Sequence, residues 1–185
     1  MEKKLAFGDI LSKGFSIGLK NFFSLLGCLI LWILTIWIPY LNVGTTIAIA
    51  TLPAALSRGQ VISPLEIFDK KYLKFMGEYF LVQGLLFIIL LPAMFFMIIP
   101  AIVLSIAYSL ATLLVVDKGK GAAEAIKLSN KLTYGNKWIM FFANLVLAIP
   151  LIIPYFNYVY IIVLIPIMLG VKAYIYKELA SEVQE

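Results

Sequence analysis

Three long apolar runs separated by short polar intervals set the pattern of this chain. The runs cover Phe22–Ser57, Phe80–Val116 and Trp138–Val171. Each is longer than the roughly 20 residues one bilayer span takes. Each also carries a proline-containing break: Pro39–Asn42 in the first, Pro92 and Pro100 in the second, Pro150–Pro154 in the third. Proline ends or kinks a helix because it lacks the amide donor and its ring crowds the preceding turn. Each run therefore predicts a hairpin of two short helices. Re-entrant hairpins that turn back inside the bilayer are the alternative.

The polar intervals, 1–20, 58–78, 117–137 and 172–185, carry helical periodicity of their own. Leu11, Phe15, Gly18 and Phe22 share one face of a first helix. Ser63, Pro64 and Glu66 form a helix start, with a serine cap and a glutamate three residues on. Leu65, Phe68, Tyr72, Phe75 and Tyr79 then form an apolar stripe. The longest interval predicts a helix over 122–134. Ala125, Leu128 and Leu132 lie on one side of it, and Glu124, Lys127 and Lys131 on the other, with Glu124 in reach of Lys127. Gly135 can end that helix in a left-handed conformation. Trp138 then opens the next apolar run. Two placements fit this helix: in the membrane surface, or packed on its own protein.

The units repeat. Gly18, Gly77 and Gly135, candidate hinges, are 59 and 58 residues apart. Ser12, Ser16, Gly18 and Lys20 align with Ser129, Thr133, Gly135 and Lys137 at one offset of 117. The expected architecture is an all-α membrane protein with six short transmembrane helices as three hairpins. Amphipathic interfacial helices lie on the cytoplasmic face, and a three-fold repeat of about 58 residues runs through a single domain, 1–185. The approximate units are 1–58, 59–117 and 118–177, with 178–185 as a tail.

Composition sharpens this picture. Of 185 residues, 63% are hydrophobic, above the roughly half of a soluble domain. All 15 basic and all 10 acidic residues fall in the four polar intervals. With six spans those intervals share one side, and the positive-inside rule makes it the cytoplasmic side, both termini included. The net charge of +5 then points to the anionic inner leaflet and away from nucleic acid. No small-residue cleavage site follows residues 1–20, which predicts an uncleaved first span in place of a signal peptide.

Catalytic chemistry is thinly provided. The chain has no histidine and one cysteine, Cys28. No metal, cofactor or catalytic residue is therefore expected. No charged residue lies inside a predicted span, which weighs against ion-coupled transport. Ser105, Ser109 and Thr112 form a polar stripe that fits a pore lining or glue between helices. Glu78 and Asp117 are placed to form a carboxylate pair or two solvated helix ends. Lys118, Lys120, Lys127, Lys131, Lys137 and Trp138 are candidate contacts for lipid or a partner.

The residues Ala125, Ser129, Leu132, Thr133, Gly135 and Trp138 follow a Val-Val-Asp-x-Gly element, Val115, Val116, Asp117 and Gly119. This pattern resembles a family of bacterial multi-span membrane proteins often labelled glycerophosphoryl diester phosphodiesterase membrane domains. The family usually has tryptophan after the serine, where this chain has Asn130. The resemblance covers residues 115–138 and implies a fold and a membrane. The phosphodiesterase label belongs to a separate soluble domain, for which this chain has no counterpart. The expected function is a non-enzymatic membrane protein that organises lipid or a membrane partner, with self-association included. The alternative is a pore or small-solute transporter lined by intramembrane Ser, Thr, Asn and Gln.

Overall fold

The computed structural model describes residues 4–96, 98–149, 157–181 and 183. The expected break at Pro150–Pro154 lies outside them. The elements are α1 (Phe7–Lys20), α2 (Phe22–Thr35), α3 (Pro39–Ser57), α4 (Met76–Phe96), α5 (Ile98–Ala107), α6 (Ala111–Lys118), α7 (Ala122–Thr133), α8 (Lys137–Ala148) and α9 (Asn157–Ala180). Two 3₁₀ segments, Pro64–Phe68 and Lys70–Phe75, precede α4. No strand occurs among the described residues.

The predicted helix over 122–134 is α7, one residue shorter at its end. The start at Ser63 also exists, but it opens a 3₁₀ turn and not an α-helix. Asp69, extended at φ −63° and ψ 126°, interrupts the segment after five residues. Its side chain caps the next turn by accepting from the amide of Lys71 at 2.9 Å. In the first run the turn falls at 36–38, and Pro39 opens α3 in place of breaking it. Proline suits that first position because the amide it lacks would have no partner there. A polar cluster ties this turn: Thr35 shares a hydrogen bond with Thr45 at 2.9 Å, and Asn42 donates to Thr35 at 3.2 Å.

Helices α3, α5–α6 and α9 lie inside, and α2, α4 and α8 outside. Of its most apolar stretch, α3 has 61% buried and the α5–α6 helix 50%, whereas α4 has 6%. Along α2 and α8 only Leu25, Cys28, Thr35, Met140 and Ala143 are buried. One apolar cluster gathers Leu110, Leu113, Leu114, Ala125, Met140 and Val171. The other gathers Leu25, Ile47, Leu52, Ile67 and Ala173. Val171 and Ala173 belong to different clusters, so α9 lies between the two.

The amphipathic segments each pack on an inner helix. α7 packs on α6, the 3₁₀ segments pack on α3, and α1 packs on α9, the broadest helix pair in the molecule. The α1–α9 seam defines which face of α1 is buried. Ile10, Gly14 and Gly18 are the buried face of α1, while Phe15 is 46% exposed. A Cβ added to Gly14 would stand 2.6 Å from the Val171 Cα, and one on Gly18 would stand 2.7 Å from the Pro166 carbonyl oxygen. Small residues let two backbones approach this closely, and hydrophobic periodicity does not register them. At the end of α1 the chain bends by 69° into α2.

Candidate functional site

The long helix formed by α5 and α6 is interrupted at Tyr108–Leu110. Such a break frees backbone groups that need partners where water is scarce. Ser129 of α7 supplies them. Its hydroxyl donates to the Ala107 carbonyl at 2.7 Å and accepts from the Leu110 amide at 3.2 Å. Thr133, one turn on, also donates to the Ala107 carbonyl, at 3.2 Å. Both hydroxyls are fully buried. Ala125 and Ile126 join the main apolar cluster, with Leu128 and Leu132 packed against it. Of the two placements open to α7, the structure has it packed on its own protein.

Gly135 then adopts φ +77° and turns the chain into α8. Gly18 lies inside α1 and Gly77 inside α4, both with ordinary negative φ. Asn136 is buried beside Gly135, and its side-chain oxygen accepts from the Leu5 amide at 2.8 Å. The segment before α1 is thereby tied to the α7–α8 joint.

A second polar centre joins the ends of the inner helices. Asp117, at the end of α6, accepts from Arg58 at the end of α3. The Tyr176 hydroxyl on α9 donates to the other Asp117 oxygen at 2.7 Å. Arg58, Asp117 and Tyr176 are spaced 59 residues apart twice over. The Asp117 side chain is 8% exposed and that of Arg58 51%. Beside them opens a cavity of about 490 Å³ whose walls include Arg58, Gln60, Glu66, Lys71, Tyr72 and Asp117. Lys71 pairs with Glu66 at 3.1 Å and with Asp69 at 3.2 Å. The Lys71 amide, followed by the Lys71 and Lys74 charges, holds the Asp69 carboxyl below its ordinary range. The sign follows: this cap holds at neutral pH and is lost only as pH falls through that lowered value.

The remaining candidates scatter. Glu78 and Asp117 form no pair, because Glu78 accepts from the Ala122 amide at 2.8 Å and so anchors the start of α7. Ser105 and Ser109 donate to their own helix, at Ile102 and Ile106, and Thr112 meets Gln83 at 3.2 Å. Lys120 reaches Glu124 at 3.6 Å, the partner that the periodicity assigned to Lys127. Lys127 and Lys131 are exposed, and Lys118 is half-buried. Lys137 donates to Asn130 at 2.9 Å. Trp138, 67% exposed, stacks on Phe142 with centroids 6.3 Å apart. Among the described residues no three His, Cys, Asp or Glu lie close enough together to hold a metal ion.

Fold and site together define an all-helical protein with helices able to cross a membrane. Among the described residues three are long and apolar enough, or four if the bent pair α1–α2 counts as one span. No family model, curated protein or solved structure matches the chain.

Proposed function

We propose that the chain is a non-enzymatic, multi-pass membrane protein that organises the lipid around it or a membrane partner. The observation that carries this is the sorting of its arms. Inner helices α3, α5–α6 and α9 pack on one another through Leu, Ile, Val and Ala. Helices α2, α4 and α8, with the turn after α2, present Phe23, Leu34, Trp37, Phe87, Phe95, Phe96 and Phe142 outward. An apolar surface this extensive suits hydrocarbon and not water. The intramembrane hydroxyls bond their own helix or a neighbour, which fits glue better than a conduit.

The three-hairpin, six-span design belongs to the same proposal. It is supported by the meeting of Arg58 and Asp117, which stand 59 residues apart, the same spacing as Gly18 and Gly77. The recurring packing of each amphipathic segment on another unit's inner helix supports it as well. The charged ends then lie in the cytoplasm of a bacterial cell, and kinship with the family that residues 115–138 resemble is proposed on the same footing. A second reading, passage of a small solute, is favoured by the polar cavity beside Asp117.

Flux separates the two. The protein reconstituted into vesicles should release entrapped dye or small solutes no faster than protein-free vesicles do. Spin-labelled lipid in the same vesicles should show a motionally restricted fraction. Solute release abolished by Asp117→Asn would replace this proposal with the transport reading.

A further inference from the structure

The geometry points to a specific lipid site: the cleft between α5 and α8 holds one acyl chain of an anionic phospholipid, with its phosphate at Lys137. This rests on the membrane reading above and adds the class of lipid and its place. The cleft has a volume of about 310 Å³ and is lined by Ile99, Ile102, Val103 and Ile106 of α5, and by Lys137, Trp138 and Phe141 of α8. The four α5 residues recur at spacings of three and four, so they form one continuous face about 10 Å long. Lys137 is the one charged group in the lining.

Its position gives the cleft a polarity. Ile106 adjoins Ala107, where Ser129 and Thr133 dock. Lys137 opens α8, so on that wall it stands at one end of the cleft, with Trp138 and Phe141 following it. A ligand that fits must be apolar along its length and anionic at one end. The Lys137 ammonium has three donors, and one is spent on Asn130. That bond holds the amine in place and leaves two donors for phosphate oxygens. Trp138, largely exposed, sits where an aromatic ring suits the headgroup boundary. The cleft is at the small end of ligand-pocket sizes, and a helix about 10–12 Å across does not enter it. Lys118, Lys120, Lys127 and Lys131 in the same interval favour a headgroup of net negative charge over a zwitterionic one.

The test uses the full chain in vesicles, with Trp32→Phe and Trp37→Phe leaving Trp138 as the reporter. Phosphatidylglycerol and phosphatidylcholine, each brominated on the acyl chain, are titrated in turn as quenchers. The anionic lipid should quench Trp138 at a mole fraction about five-fold lower, the selectivity one lysine supplies near such headgroups. Lys137→Gln should bring the two lipids together, and Lys137→Arg should keep them apart. A second reporter, Phe95→Trp with Trp138→Phe, sits on α4 outside the cleft and should be quenched alike by both lipids. Equal quenching of Trp138 by the two lipids, or a preference that survives Lys137→Gln, overturns the site and leaves the membrane reading standing. If the α4 reporter also escapes quenching, the membrane reading falls and the site with it.

Discussion

At the scale of single residues, the motif serine and threonine act on backbone and not on a substrate. Ser129 satisfies both a carbonyl and an amide freed by the break at Tyr108–Leu110. Ser129→Ala leaves those groups without it and should cost about 1–3 kcal/mol, read as lowered thermal stability in detergent. Thr133→Ala should cost less, because Ser129 still donates to the Ala107 carbonyl. Asp117 is a comparable hub. Tyr176→Phe should cost about 1.5–3 kcal/mol, the range for a hydrogen bond to a charged group. Combined with Asp117→Asn, it should cost less than the two changes added separately, since both remove one interaction. Additive losses in that double-mutant cycle would mean that the Tyr176–Asp117 bond carries little of the stability.

At the scale of elements, the seam between α1 and α9 is the tightest contact. Gly14, Gly18 and Gly170 allow it, and a Cβ on Gly170 would run into the Gly14 carbonyl and Gly18. Gly18→Leu should therefore separate the two helices, with a loss of about 1–3 kcal/mol or more from overpacking. Gly77→Leu, where an added Cβ meets nothing within 4 Å, should be tolerated. Limited proteolysis near residues 20–22 would tell the two apart. Element existence was legible in the sequence: α7 was predicted to within a residue, the first and third runs start within a residue of α2 and α8, and α4 begins four residues before the second run. The buried face of α1 was legible only at Gly18, because hydrophobic periodicity favours Phe15 over Gly14. The hairpin turn at 36–38 was placed late, because proline was taken as a stop where it serves as a start. The function of Ser129 was out of reach, since it depends on an interruption 19 residues away.

At the scale of the molecule, the charged ends should all face one compartment. Single cysteines at Lys13, Lys74, Lys127 and Lys177, in a Cys28→Ala background, should react with an impermeant maleimide only from the cytoplasmic side. Labelling of any one from outside in intact cells would undo the six-span arrangement. The cavity beside Asp117 and the Arg58–Asp117–Tyr176 network were invisible in the sequence, because residues far apart in the chain meet there. The α1–α9 seam has a further consequence, for biogenesis. Gly14 and Gly18 meet partners roughly 150 residues downstream, and a ribosome adding about 5–20 residues per second needs roughly 8–30 s to reach them. Throughout that interval the glycine face of α1 lacks its α9 partner. A nascent chain stalled before α9 should therefore be a substrate for membrane quality control, and proteolysis of α1 should cease once α9 has been inserted.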